Sequence, residues 1–595
     1  TDADWFELGV LVTVGGRVIP FAPLFTALAL RQKRILLSDG AYFSLAHPAL
    51  DRLRDLIAEA ADLPEWEVGP RISRYQSALW SEFEDLADYA VPAVAWREHA
   101  EGLRDLEHIP QTPVPATVHA TLRHYQESGF SWLAFLWSHR MGGVLADDMG
   151  LGKTLQMLAL VCHATASGSG PFLVVAPTSV LTTWRSEALR FAPGLDVRVI
   201  DSTAARRGQS FADAIVGADL VITSYTLLRL DTADFSSVTW DGVILDEAQF
   251  VKNPATKLYR AVRDLDARSV FAVTGTPMEN SLTDLWALLS LTSPGLFASA
   301  AKFRQEYTAP IEQAKVPDVL GAHVEPEEFR RDRLARLRRR IRPLMLRRTK
   351  QDVAPELPPK QEQTLRIELA PAHRAHYDRV LQRERQKVLG LLGDLDRNRF
   401  IVFRSLTLLR MLSLAPVLVD PTRGGMGSAK LDALLERLEE TAAEGHRSLV
   451  FSQFTSFLKL AADRLEAAGI AYVYLDGSTR RRAEVIESFR AGDAPVFLIS
   501  LKAGGFGLTL TEADYVFLLD PWWNPAAEAQ AVDRTHRIGQ QQTVMVYRMI
   551  ATGTIEEKVL ALQERKAKLF QAVVDDDALF STALTADDIR GLFEG

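Results

Sequence analysis

Gly143-Val144-Leu145-Ala146-Asp147-Asp148-Met149-Gly150-Leu151-Gly152-Lys153-Thr154 reads as a short apolar strand, a glycine-bearing loop and the start of a helix. A loop that opens a helix in this way aims several backbone amides at one point, where the helix dipole also favours an anion. Lys153 is spaced to reach the terminal phosphates of a nucleotide, and the Thr154 hydroxyl to ligate Mg2+. Asp147 stands where such loops usually begin with glycine, so a flexible turn is the plain alternative; the strand–loop–helix setting favours the phosphate reading. Asp148, Met149, Gly150, Leu151, Gly152, Lys153 and Thr154 are the expected phosphate-side residues.

Outward from this loop, short apolar runs alternate with helical stretches between about 118 and 295. The runs are 143–145, 172–175, 220–222, 243–245 and 270–273. Continuous apolar strands separated by helices predict a parallel sheet covered on both faces. Ligands bind such sheets at the carboxyl ends of their strands, and each run here leads into a polar segment. Asp246-Glu247-Ala248-Gln249 follows the run 243–245. Asp246 is expected to hold Mg2+ and Glu247 to orient and deprotonate an attacking water; an acidic helix cap is the bland alternative. The alternation resumes at 448–451, 471–475, 496–500, 515–519 and 544–547.

The bulk properties are those of an ordinary globular chain: 595 residues, 47% hydrophobic and 24% charged. That length exceeds what one core usually serves, so several domains are expected. A formal charge of −8 excludes a uniformly basic coat, and any nucleic-acid contact must come from local positive charge. The single cysteine, Cys162, rules out an internal disulfide framework or a cysteine-based zinc cluster, and its apolar surroundings predict a buried thiol. The first residues do not resemble a secretion signal, and the apolar stretch 18–30 is short and holds two prolines. A reducing, cytoplasmic and nucleoid-associated location without membrane contact is the expectation, with the chain working as a monomer. It does not begin with Met, so it is expected to be a fragment of a longer protein.

Around the two alternating halves lie less regular regions. Residues 1–115 read as a small α+β accessory region, with short strands near 10–12 and 35–37, a helix over 50–61 and a proline-marked joint at 110–115. Residues 296–425 read as helical and arginine-rich, with a buried core helix over 406–418. Ten arginines fall between Arg330 and Arg348; a solvated helix and a phosphate- or lobe-docking surface are equally open readings. Far downstream, Asp533-Arg534-Thr535-His536-Arg537 spaces two arginines so that a helix would put both on one face. Two guanidinium groups there could stabilise charge on a γ-phosphate, although the segment by itself reads as a surface ion-pair cluster.

Taken in order, these motifs resemble the SWI/SNF group of helicase superfamily two. The resemblance runs over roughly 120–565. It is carried by Leu122-Arg123-His124-Tyr125-Gln126, the glycine loop, Ala176-Pro177-Thr178-Ser179 with Trp184, Thr223-Ser224-Tyr225, the acidic segment and Thr274-Gly275-Thr276-Pro277. In the second half it is carried by Phe451-Ser452-Gln453-Phe454, Leu475-Asp476-Gly477-Ser478-Thr479, the stretch 500–511 and Asp520-Pro521-Trp522-Trp523-Asn524-Pro525. The resemblance implies an α/β fold: two RecA-like parallel-sheet lobes (116–295 and 426–565), helical protrusions and a linker between them (296–425), the accessory region and a helical tail (566–595).

It also implies an ATP- and Mg2+-using, DNA-stimulated ATPase that translocates on double-stranded DNA and remodels protein–DNA complexes. RNA polymerase or another DNA-bound protein is a candidate partner. A strand-separating helicase and a nucleotide-gated scaffold are the alternatives. Arg123, Tyr125, Gln126 and Gly507 would face the nucleotide, Gln126 reading the adenine, while Arg534 and Arg537 become arginine fingers. Residues 274–276 would couple hydrolysis to lobe movement. Pro177, Thr178, Thr223, Ser224, Ser452, Gln453, Ser500, Lys502, Gly504, Gly505 and Trp523 would line the DNA groove, meeting phosphates rather than base edges. Binding should then be salt-sensitive and largely independent of sequence. Of the arginine cluster, the resemblance singles out Arg347 and Arg348. Gln249 departs from the family's usual His and Thr509 from its usual Asn.

Overall fold

The computed structural model describes residues 5–7, 11–14, 17–20, 34–36, 42–45, 71–73, 109–275, 281–297, 299–313, 326–353, 358–390, 395–504, 510–521, 525–537 and 539–561. They divide into two compact units, residues 1–147 with 153–347 and residues 148–152 with 348–595.

The first unit begins with six short strands, β1 (Trp5–Glu7), β2 (Leu11–Val14), β3 (Arg17–Pro20), β4 (Arg34–Leu36), β5 (Tyr42–Ser44) and β6 (Arg71–Ser73). They form three antiparallel pairs, β1 with β6, β2 with β3 and β4 with β5. β2 and β4 fall where the alternating sequence predicts them, whereas the helix expected over 50–61 lies outside the described residues.

The main sheet of this unit uses β7 (Gly143–Leu145), β8 (Phe172–Ala176), β9 (Val197–Ile200), β10 (Leu220–Ser224), β11 (Gly242–Asp246), β12 (Val270–Val273) and β13 (Met345–Leu346). Its order is β13-β7-β12-β11-β8-β10-β9, with every pair parallel. Unbroken apolar runs suit these strands because both faces of the sheet are covered: β8 and β10 are buried at every position. Parallel strands end on one side, so the glycine loop, Pro177, Ser224, Asp246 and Thr274 leave the same edge. At the start of β7 the packing is close. A Cβ on Gly142 would sit 2.1 Å from the Val270 carbonyl oxygen and 2.3 Å from that of Thr292. Cys162 is buried, as expected, and burial raises its thiol pKa.

The second unit holds β14 (Lys360–Ile367), β15 (Ser448–Ser452), β16 (Tyr472–Leu475), β17 (Val496–Ser500), β18 (Tyr515–Leu518) and β19 (Val544–Ala551). Its order is β14-β19-β18-β15-β17-β16, again all parallel. Successive residues serve opposite faces: Leu449 and Phe451 join one core, Val450 the other. Helix Ala429–Ala443 covers the second face with Leu431, Leu434 and Leu438, three and four residues apart. Beneath it Lys430 and Glu556 form a fully buried ion pair at 2.6 Å. The Lys430 ammonium also donates to the Leu519 carbonyl, and Glu556 accepts from Ser413 and from the Ala551 amide.

The middle of the chain is helical over Pro326–Ile341, Pro371–Leu389 and Leu395–Leu414. It also supplies an edge strand to each sheet, β13 to the first and β14 to the second. The helix expected over 406–418 stops at Leu414, and Pro416 opens a separate turn of 3-10 helix. Proline lacks the amide to continue a helix and its ring excludes helical geometry from the residue before it. Among the described residues no helix is long and apolar enough to cross a membrane.

Candidate phosphate-binding active site

Gly150 (φ +87°) and Gly152 (φ +73°) take left-handed backbone angles that only glycine adopts without strain. The loop therefore turns within a few residues and hands over to helix Lys153–Ala166. Lys153 folds back on this loop, its ammonium donating to the Asp147 carbonyl at 2.6 Å. Asp147 is completely buried, and its carboxylate accepts from Gln156 at 3.4 Å. The missing glycine is thus replaced by an anchoring side chain beneath the loop. Thr154 is half-buried one residue into the helix.

Asp246 closes β11 with each polar group engaged. Its Oδ2 accepts from the indole Nε1 of Trp184 at 2.7 Å, its Oδ1 from the Glu247 amide at 3.0 Å, and its carbonyl from the Tyr225 hydroxyl at 2.7 Å. Burial and the neighbouring Glu247 charge push the Asp246 carboxyl up to about 7, against the opposing pull of Trp184 and Lys153. Glu247 takes φ +50°, a costly backbone state for a side-chain-bearing residue. The Gln249 amide donates to Glu247 Oε2 at 2.9 Å, and the Thr274 hydroxyl donates to Gln249 Oε1 at 2.9 Å. Gln249 therefore joins the end of β11 to the end of β12. Trp184, Tyr225 and Gln249 are site residues whose roles the spacing alone did not give. Trp184 was legible only as a family position, and nothing in the sequence announced its bond to Asp246.

Among the described residues no group of three or more His, Cys, Asp or Glu is placed to hold a metal ion. Mg2+ characteristically needs only one or two carboxylates plus substrate phosphates. Asp246, near enough to Lys153 to feel its charge, fits that demand together with Thr154, since a divalent cation would offset the burial and the Glu247 charge that raise Asp246.

Near the start of the motif series, Tyr125 and Gln126 are buried on helix His124–Ser138, and Gln126 Oε1 accepts the Arg123 amide at 2.9 Å. Four of the five expected hydroxyl contacts to DNA are committed internally. Thr223 donates to the Ile200 carbonyl, while Ser224, Ser452 and Ser500 accept from the amides of Leu227, Phe454 and Ala503. None is more than 2% exposed, so these side chains fix the strand-to-helix turns rather than facing outward. Thr178 is exposed, Gln453 half-buried and Pro177 buried. Lys502 and Gly504 lie on helix Leu501–Gly504, whereas Gly505, Gly507, Thr509, Trp523 and Thr276 fall outside the described residues.

The arginine motif corrects the helical expectation. The helix ends at Val532, and Arg534 and Arg537 sit in the turns that follow. Mixed hydrogen bonding breaks the helical ladder: the Arg534 amide bonds Ala531 and the Arg537 amide bonds Thr535, while the Arg534 carbonyl accepts the Leu510 amide at 2.9 Å. Arg534 is nearly buried, at 3% exposure.

A parallel sheet carrying a glycine loop, a strand-end acidic pair and a bridging amide defines a nucleotide-phosphate-binding ATPase class of site. Residues 125–413 match the SNF2-related domain and residues 429–539 the helicase conserved C-terminal domain. The Bacillus subtilis protein YwqA, which carries the name of an ATP-dependent helicase/translocase, is 35% identical over 96% of this chain and 62% of its own length. An uncharacterized ATP-dependent helicase of Mycoplasma pneumoniae is 34% identical over 80% of this chain and 44% of its own length. The solved SWI2/SNF2 ATPase core of Sulfolobus solfataricus in complex with double-stranded DNA is 32% identical, covering 78% of this chain and 96% of that one, with a TM-score of 0.38. With these two domain matches, the chain belongs to the SNF2 (SWI/SNF) family of ATP-dependent helicases. It spans less than two thirds of these curated relatives' own lengths, 62% and 44% respectively.

Proposed function

We propose that the chain hydrolyses ATP to ADP and phosphate, is stimulated by double-stranded DNA, and translocates along the duplex to remodel protein–DNA complexes. The observation that carries the reading is the chain of bonds from Thr274 through Gln249 to Glu247, beside an Asp246 held by Trp184. A carboxylate fixed this way can orient a water and accept its proton at Oε1 or Oε2. Lys153 and the loop amides bind the phosphates. Asp246 and Thr154 would hold Mg2+, which when bound neutralises charge on the phosphate oxygens. Arg534 and Arg537 supply guanidinium groups to the transferring phosphate.

Because Thr274 lies one strand away from the acidic pair, a change at Glu247 is transmitted to the sheet edge through Gln249. With buried hydroxyls fixing the strand ends, Thr178, Gln453, Lys502 and backbone amides are the groups left for duplex phosphates. Contact of that kind gives salt-sensitive binding with little sequence preference. DNA-stimulated turnover is the first test: no increase in ATP hydrolysis on adding duplex would sink the proposal. Glu247→Gln should keep nucleotide binding and lose turnover. ATP, but not a non-hydrolysable analogue, should drive displacement of streptavidin from biotinylated duplex; separation of labelled strands instead would point to a helicase.

A further inference from the structure

We infer that Lys350 is a positioning residue for the arginine turn, holding Arg534 and Arg537 in register for the phosphate. The inference rests on the hydrolysis reading above. It begins with the local sequence Thr349-Lys350-Gln351-Asp352. Thr349 donates to the Asp352 carboxylate through its amide (3.1 Å) and its hydroxyl (2.6 Å), and the Asp352 amide donates back to the Thr349 hydroxyl at 3.3 Å. This reciprocal cap fixes the backbone at the start of helix Lys350–Val353. Lys350 therefore leaves a defined point rather than a loose linker.

Its ammonium is buried, with the side chain 8% exposed. A buried ammonium has donors only and must be paired. It donates to Asp533 Oδ1 at 2.5 Å and to the His536 carbonyl at 2.5 Å. These acceptors bracket Arg534, one on each side. His536 adds a further tie through Nε2 to the Pro358 carbonyl at 2.9 Å, and the Leu510 amide holds the Arg534 carbonyl at 2.9 Å. The segment that lacks a helical ladder is thus clamped from outside, and Lys350 supplies two of the bonds. An arginine reaches its target through four rotatable side-chain bonds, so a small backbone shift at its root is magnified at the guanidinium. Misplacement of about 1 Å can cost roughly a hundredfold in rate. Lys350 itself touches no reacting atom in this scheme.

The test compares K350M with D533A, which removes the same bond from the other side, and with R534A. Each full chain is assayed for DNA-stimulated ATP turnover and for affinity toward ADP, ADP–beryllium fluoride and ADP–aluminium fluoride. K350M is expected to lower kcat about tenfold to a hundredfold with KM for ATP nearly unchanged. It should weaken the aluminium fluoride complex by the same factor and leave ADP affinity intact. The double variant K350M/D533A should be little worse than K350M, since the bond that D533A removes is already lost in K350M. If K350M melts early, D533A alone carries the same expectation. Wild-type kcat in a folded K350M or D533A chain, with R534A impaired, overturns the positioning role. Unimpaired R534A would instead overturn the arginine assignment on which it rests.

Discussion

Replacing Trp184 by Phe removes one donor from Asp246 while keeping an aromatic ring in the same buried place. The bond lost is the 2.7 Å indole contact to Oδ2. A hydrogen bond to a charged group contributes about 1.5–3 kcal/mol, and even the lower end corresponds to about one pH unit. At about 1.4 kcal/mol per tenfold, the ionised form of Asp246 becomes disfavoured by roughly a factor of ten. The sign follows from the environment: burial and Glu247 already raise this carboxyl to about 7, and Trp184 opposes that rise. Without the indole the carboxyl keeps its proton to higher pH. Steady-state ATPase measured against Mg2+ at several pH values should therefore show two linked changes. The acid limb moves up by about one pH unit, and the Mg2+ needed for half-maximal rate near pH 7 rises about fivefold, the gap closing in alkali. A melting curve separates this from the loss of ring volume at a residue 1% exposed, which costs about 1–2 kcal/mol. An unchanged acid limb together with an unchanged Mg2+ requirement in the folded variant would refute the reasoning.

Gln249→Glu should impair turnover more than Gln249→Ala, because it sets a second carboxylate against Glu247 across the present 2.9 Å contact; equal losses in kcat would argue against the bridge. Lys430→Met leaves Glu556 buried without its cation and should cost about 3–5 kcal/mol in urea unfolding of the second unit. Adding Glu556→Gln should recover much of that loss, and no recovery would mean the charge is not the cause. Gly142→Ala must displace the Val270 or Thr292 carbonyl, whose oxygens would lie 2.1 and 2.3 Å from the new carbon. It should destabilise the first unit by about 1–3 kcal/mol in a thermal melt; an unshifted melt would contradict that packing.

Both sheets were legible where strands are buried on both faces, because an unbroken apolar run leaves few other readings. The strands that escaped are edges. β9 alternates, as Val197-Arg198-Val199-Ile200, and β13 is only Met345-Leu346. β14 is Lys360-Gln361-Glu362-Gln363-Thr364-Leu365-Arg366-Ile367, exposed over its first five residues. An edge strand that is half-solvated and polar, as β9 and β14 are, or only two residues long, as β13 is, gives no continuous apolar run. In the site, the loop, Asp246 and Glu247 announced themselves because strand-end chemistry restricts residue type. Gln249, Trp184 and Lys350 did not, since each acts through a partner 25, 62 or 183 positions away. The arginines were placed on a helix because spacing alone cannot register the competing bonds from Thr535 and Leu510.

The polar edge strand β14 also bears on how the chain is made. Its long parallel register is with β19, and the Arg548–Glu362 bond across that ladder spans 186 positions. On the ribosome, β14 emerges well before β19, its one neighbour among the described residues, and must wait in water while the rest of the sheet is synthesised. Lysine, glutamate and glutamine along its length keep it soluble during that interval and give a passing strand little to add to. A more hydrophobic edge would stabilise the finished sheet but expose nascent chains to pairing with one another.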